Sequence, residues 1–112
     1  MATANLLKLK FNAAEALPAQ VACDTSTGAG VDYGAAEDRR IVLLIENTAE
    51  VSEQVTIAKG SGIQDVADYV FSVPASSKVA LVVESGRYKN FSDAMVRIKG
   101  SSNVKVTAIA TP

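Results

Sequence analysis

The feature that most constrains this chain is a period-two alternation of apolar and polar residues, repeated in short segments with no long stretch at helical spacing. Leu7, Leu9 and Phe11 fall on one face of 6–11, with Lys8 and Lys10 on the other. Val55 and Ile57 point one way in 53–59, and Val79, Leu81 and Val83 do so in 78–84. Ala94, Val96 and Ile98 alternate through 93–99, as do Val104, Val106, Ala108 and Ala110 through 103–111. Successive side chains of an extended strand point to opposite faces, so each segment reads as a strand with one face in a core. Residues 69–73 read as another strand ending at Pro74, and 19–23 as a short one. Composition agrees: 14 Val and 6 Ile outnumber 7 Leu, and branching at Cβ suits a pleated, half-buried surface. Seven to nine short strands separated by turn signals mean a β-sandwich or barrel, and the expected fold class is all-β, a single antiparallel β-sandwich over 1–112.

Two segments depart from simple alternation. Ile41-Val42-Leu43-Leu44-Ile45, within a strand at 40–46, is apolar on both faces. A central strand covered on both sides would look like this, and so would one whose outer face meets another subunit. Residues 24–39 are rich in Gly and small polar groups and read as one long loop, a length that tends to be functional or mobile. Asn47-Thr48-Ala49-Glu50 reads as a turn, and a helix is expected at most as a single turn around Asn12 to Leu17.

The chain offers little material for catalysis. Histidine is absent, which removes the commonest general base and metal ligand. No phosphate-binding loop, dinucleotide fingerprint or nucleophile elbow is present. Carboxylates stand close together at Glu37-Asp38 and at Asp65 with Asp68, and read as turn residues and solvated charge. The one cysteine, Cys23, forms no internal disulfide and reads as a small core residue. The expectation is a protein that is not an enzyme and needs no cofactor or metal.

Charge and hydropathy narrow the partners. The net charge is −1, with residues 1–56 acidic and 57–112 basic. A duplex binder draws its affinity from many Lys and Arg on phosphates, so nucleic acid is not an expected partner. The basic stretch Lys78, Arg87, Lys89, Arg97, Lys99 and Lys105 reads as an outward strand face. No 18-residue apolar run or signal-peptide core occurs, so no membrane is expected and synthesis is placed in a cytosol. Aromatic platforms are scarce: Phe11, Tyr69 and Phe71 fall on inward faces, leaving Tyr33, Tyr88 and Phe91. More informative are Leu6, Val42, Leu44, Val70, Val82 and Ile109, apolar residues on nominally outward faces. If several of them share a patch, that patch is a protein interface, because monomers seldom expose large contiguous apolar areas.

A resemblance is carried by Val55-Thr56-Ile57-Ala58-Lys59-Gly60-Ser61-Gly62-Ile63-Gln64-Asp65-Val66-Ala67-Asp68-Tyr69, by Glu84-Ser85-Gly86-Arg87-Tyr88-Lys89-Asn90 and by Val104-Lys105-Val106-Thr107-Ala108-Ile109. From Arg40 to Pro112 the order of these motifs resembles small capsid decoration proteins of tailed phages and prophages. The resemblance implies a compact β-sandwich of immunoglobulin-like or jelly-roll character acting as a virion structural protein, with the major capsid protein or other virion proteins as partners. Homo-oligomerisation is left open, and the implied location is the virion. The candidate interface residues are Val42, Leu44, Arg87, Tyr88 and Lys89, and Arg87 is expected to reach Asp65 or Asp68. The competing expectation is an outward-displayed immunoglobulin-like module that binds host-surface glycans or proteins, using exposed aromatics near Tyr33 or Tyr88.

Overall fold

Backbone pairing, not local propensity, organises the molecule. The computed structural model describes residues 2–33, 40–60, 67–90 and 93–112, apart from the side chains at 85 and 86. The elements are β1 (Ala2–Ala4), β2 (Leu6–Lys8), β3 (Val21–Ala22), β4 (Ala29–Asp32), β5 (Ile41–Asn47) and β6 (Glu53–Ile57). Then come β7 (Tyr69–Val73), β8 (Lys78–Leu81), the single turn α1 (Ser85–Tyr88), β9 (Lys89–Asn90), β10 (Met95–Lys99) and β11 (Val104–Ala110). One sheet runs β1-β4-β10-β6-β7 with β9 also on β10; the other runs β2-β11-β5-β8 with β3 also on β11.

The two sheets enclose one core, as the alternation requires of a β-sandwich. In β5, Ile41, Leu43 and Ile45 are fully buried, while Val42, Leu44 and Glu46 between them are half-buried. Val31, Val55, Ile57, Val96 and Ile98 line the six-stranded side, and Val104 and Val106 join β5 on the five-stranded side. Cys23 is buried among them, and loss of solvation pushes its thiol up to about 11, as expected of an inert core residue.

The described strands number eleven rather than seven to nine. The first strand begins earlier than its alternation suggested and divides between the sheets at Asn5, and the two-residue pairings of β3 and β9 add to the total. The sheets are mixed rather than wholly antiparallel, since β1 runs parallel to β4 and β2 parallel to β11. No tight hairpin joins either of those pairs. Only a tight hairpin would oblige them to run antiparallel.

Other expectations need correction. The 24–39 stretch is not one loop, because Ala29–Asp32 forms β4, wedged between β1 and β10. Its Ala-Gly-Val sequence has no alternation to reveal it, and small residues are what the position requires. At Gly28, φ is +77°, and a Cβ would stand 2.6 Å from the Ile98 carbonyl oxygen. The phase of the first strand is also inverted. Leu6 packs against the core, and Leu7 sits beside outward-facing Ile109. Phe11, expected inside, is 80% exposed, and 12–17 forms no helix; the helical turn is α1.

Polar groups tie the turns to this frame. Asp24 Oδ1 accepts the backbone N–H groups of Gly28 (2.9 Å), Thr27 (2.7 Å) and Ser26 (2.9 Å). These bonds, those from Gly28 and Thr27 foremost, hold its carboxyl far below the ordinary carboxylate range. A depressed folded-state pKa stabilises the fold above the unfolded value of about 3.9, and the contribution is lost as pH falls through the folded value. The deficit of Asp24→Ala relative to the parent is therefore expected to be full at neutral pH and to shrink in acid, as read by urea unfolding at both. Ala94 offers the opposite opportunity. It precedes β10 with φ of +60°, a left-handed conformation that penalises a Cβ, while its N–H bonds the Asn90 carbonyl at 2.8 Å. Ala94→Gly is expected to raise stability by about 0.5 kcal/mol despite the added chain entropy, measurable as a higher denaturation midpoint.

Candidate docking surface

The outer face of the five-stranded sheet is ordered in cross-strand rows by its register. Leu7, Ile109 and Val42 form one row across β2, β11 and β5. Thr107, Leu44 and Ala80 form the next across β11, β5 and β8. Lys105, Glu46 and Lys78 form a third, charged row. Leu7, Ile109, Val42 and Leu44 are each half-buried, and they abut one another as neighbours in a ladder do. The result is an aliphatic patch closed at one end by a polar rim, in which Lys78 Nζ lies 3.9 Å from Glu46 Oε2.

The chain between β2 and β3 shapes the other border. Both strands pair with the same edge of β11, β2 at Ala108 to Ala110 and β3 at Lys105 and Val106, while β5 takes the opposite edge. Residues 9–20 therefore leave and return on one side of the sheet. Thr107 faces outward by alternation yet is buried, and it lines one groove with Leu17 and Pro18 of the returning chain. These residues, with Leu44, Glu46 and Ala80, bound an open groove of about 400 Å³. Gln20 Nε2 donates to Glu46 Oε1 at 2.7 Å and pins the returning chain to the rim. No alternation marks 12–20, so neither this border nor the exposure of Leu17 was visible in the sequence.

Of the six apolar residues expected to face outward, the structure gathers Val42, Leu44 and Ile109 into this patch. Val70 lies on the six-stranded sheet, Val82 follows the edge strand β8, and Leu6 points inward. Arg87, Tyr88 and Lys89 are elsewhere. They occupy α1 and β9, where Lys89 pairs with Val96 of the six-stranded sheet. Gly60 N–H donates to the Arg87 carbonyl at 2.9 Å, and the Lys89 backbone lies so close that any Cβ at Gly60 would collide with it. Arg87 Nε donates to Glu84 Oε2 at 3.1 Å, and Tyr88 packs against the core. Asp68, one of the carboxylates expected to receive Arg87, instead accepts the Lys59 N–H at 2.8 Å. The other, Asp65, lies outside the described residues, as do Glu37, Asp38 and Phe91.

Tyr33, expected as an exposed aromatic, is buried against the core and offers no stacking platform. The basic residues separate onto two faces, Lys78 and Lys105 on one sheet and Arg97 and Lys99 on the other. Arg97 is engaged by Asp93 at 2.6 Å. Among the described residues no three His, Cys, Asp or Glu side chains gather as a metal site, and no helix is long and apolar enough to cross a membrane. Compared with known proteins, the chain matches no family model, and neither a curated protein nor a solved structure is significantly similar to it.

Proposed function

We propose that this protein is a non-enzymatic virion structural protein that binds an assembled capsid shell and reinforces it, docking through the outer face of its five-stranded sheet. The observation that carries the reading is the patch of Leu7, Ile109, Val42 and Leu44, aligned by register and bounded by the Lys105, Glu46 and Lys78 row. A rigid sheet face presents such a patch without ordering cost, and a patch with a polar rim is the anatomy of a protein interface. A protein that binds only the assembled state of a shell stabilises that state by mass action. The order of turn and strand motifs from Arg40 to Pro112, similar to that of phage decoration proteins, supplies the choice of a capsid as partner. The host-surface module draws less support, since Tyr33 is buried and Tyr88 packs on the core.

The test is co-sedimentation of the purified protein with capsid shells from its source virus. Saturable binding at a fixed ratio to capsid subunits is expected, with at least a tenfold loss for Leu44→Asp, about the effect of desolvating one charge at an interface. Circular dichroism of the variant checks that the fold is kept. Failure to bind any form of the shell would sink the reading.

A further inference from the structure

A second surface has a partner written into its register. The strand β8 closes the five-stranded sheet, and among the described residues it has a hydrogen-bonded neighbour, β5, on one edge only. The Asn47 N–H donates to the Ser77 carbonyl at 2.9 Å, which sets the phase of this ladder. Hydrogen-bonded positions alternate in an antiparallel pair, so Ser77, Val79 and Leu81 turn their backbone groups toward β5. Lys78, Ala80 and Val82 turn theirs to the open edge. Coverage of the side chains alternates without a break from Ser77 to Glu84, past Leu81, the last residue paired with β5, and the Glu84 carbonyl accepts the Arg87 N–H at 3.3 Å as the chain enters α1.

An open edge is a template for another strand, and natural edges are blunted by proline, bulges or inward charge. The stretch from Lys78 to Glu84 contains no proline, and Val82 is 54% exposed. Its only charges are Lys78 and Glu84, of opposite sign, one at each end. Two antiparallel copies must match outward-turned residues with outward-turned residues, so a two-fold axis has to fall at a residue rather than between two. An axis at Ala80 sets Lys78 against Val82. One at Val82 sets Glu84 against Ala80, and one at Val79 sets Lys78 against Ala80. Only an axis at Leu81 sets Lys78 of each copy against Glu84 of the other and covers each Val82 with the facing Ala80.

We infer that two copies of this chain pair through the open edges of β8, antiparallel about a two-fold axis at Leu81, joining their five-stranded sheets into one. The interface is isologous, as a closed dimer requires. The present neighbours of the two charges do not oppose it. The Glu84–Arg87 pair at 3.1 Å is solvent-exposed, and in the Lys78–Glu46 pair at 3.9 Å the lysine is largely exposed while Glu46 is half-buried; such pairs contribute little and reorganise readily. The inference rests on backbone groups at the edge of the sheet and is tested without a capsid, although Lys78 and Ala80 also border the face proposed to bind one.

Sedimentation equilibrium of the full chain over a wide concentration range is the test. A monomer–dimer equilibrium is expected. Lys78→Glu and Glu84→Lys should each weaken it about tenfold, since each replaces two attractive cross-pairs by two repulsive ones. The combined exchange should return it close to the parent. Ala80→Pro removes an amide that faces the open edge, not the β5 ladder, so it should abolish the dimer while the far-ultraviolet spectrum and melting profile stay near those of the parent. A monomer at every concentration, or a dimer indifferent to Ala80→Pro, would overturn the inference. A dimer weakened by both single exchanges and not rescued by their combination would overturn the register.

Discussion

Truncating Leu43 to alanine will lower the unfolding free energy by about 3–4 kcal/mol, whereas the same truncation at Leu44 will cost less than about 1 kcal/mol. The two residues are adjacent in the middle of β5 and differ only in the face they occupy. Leu43 is fully buried, set between Ala108 of β11 and Leu81 of β8. Removing its isobutyl group leaves a hole that these neighbours cannot close, because both strands are held at fixed spacing by their ladders to β5. Leu44 faces outward beside Thr107 and Ala80, is half-exposed, and loses only part of a side chain's burial when truncated. Guanidinium unfolding of both variants gives the comparison. Equal losses would mean that Leu44 is covered as fully as Thr107, and the docking face would then be closed in the free protein.

The second large effect is expected at Asn47. This side chain is fully buried at the end of β5, where most strand residues are apolar. Its Nδ2 donates to the carbonyls of Val51 (2.8 Å), Val73 (3.1 Å) and Pro74 (3.3 Å), and its Oδ1 accepts the Ala49 N–H at 2.9 Å. One amide thereby closes the turn after β5 and fastens the five-stranded sheet to the end of β7 in the six-stranded sheet. Asn47→Ala strips partners from backbone groups shielded from water, at a cost of about 3 kcal/mol. Asn47→Asp is the sharper variant. It keeps the shape and the bond from Ala49, but it faces three carbonyl oxygens with another acceptor. It should be at least as destabilised as the alanine variant at neutral pH and recover on acidification, when a protonated carboxyl can donate. Urea unfolding at the two pH values reads this out, and a neutral Asn47→Ala would show that water replaces the amide without loss.

The legible part of the molecule is the part in which one face of a strand is buried and the other is not. β6, β8, β10 and β11 stand where alternation placed them, β5 stands where its apolar run did, and Val55, Ile57, Val96, Ile98, Val104 and Val106 are all buried as read. Period two survives in sequence because a shift by one residue would carry every apolar side chain into water. The signal fails where that penalty is absent. In β4, Ala29, Gly30 and Val31 are all buried because neighbours crowd them on both sides, so small size replaces alternation. In 6–11 the phase is ambiguous, since Leu6 and Leu7 are both leucine, and only pairing with Ala108 and Ile109 decides which of them enters the core.

The candidate surfaces follow the same division. That Val42, Leu44 and Ile109 would face outward was in the sequence, because their flanking residues had to face inward. That they adjoin Leu7, and that β8 ends its sheet among the described residues, was decided by long-range pairing between β2, β11, β5 and β8. Local sequence therefore determined which residues are strand and, for most strands, which side is apolar, since both follow from the geometry of one extended chain in contact with a core. Tertiary structure alone decided which strands became neighbours, which edge stayed open and which polar side chain had to be buried, since these depend on backbone hydrogen bonds between residues far apart in sequence and chemically alike in every strand.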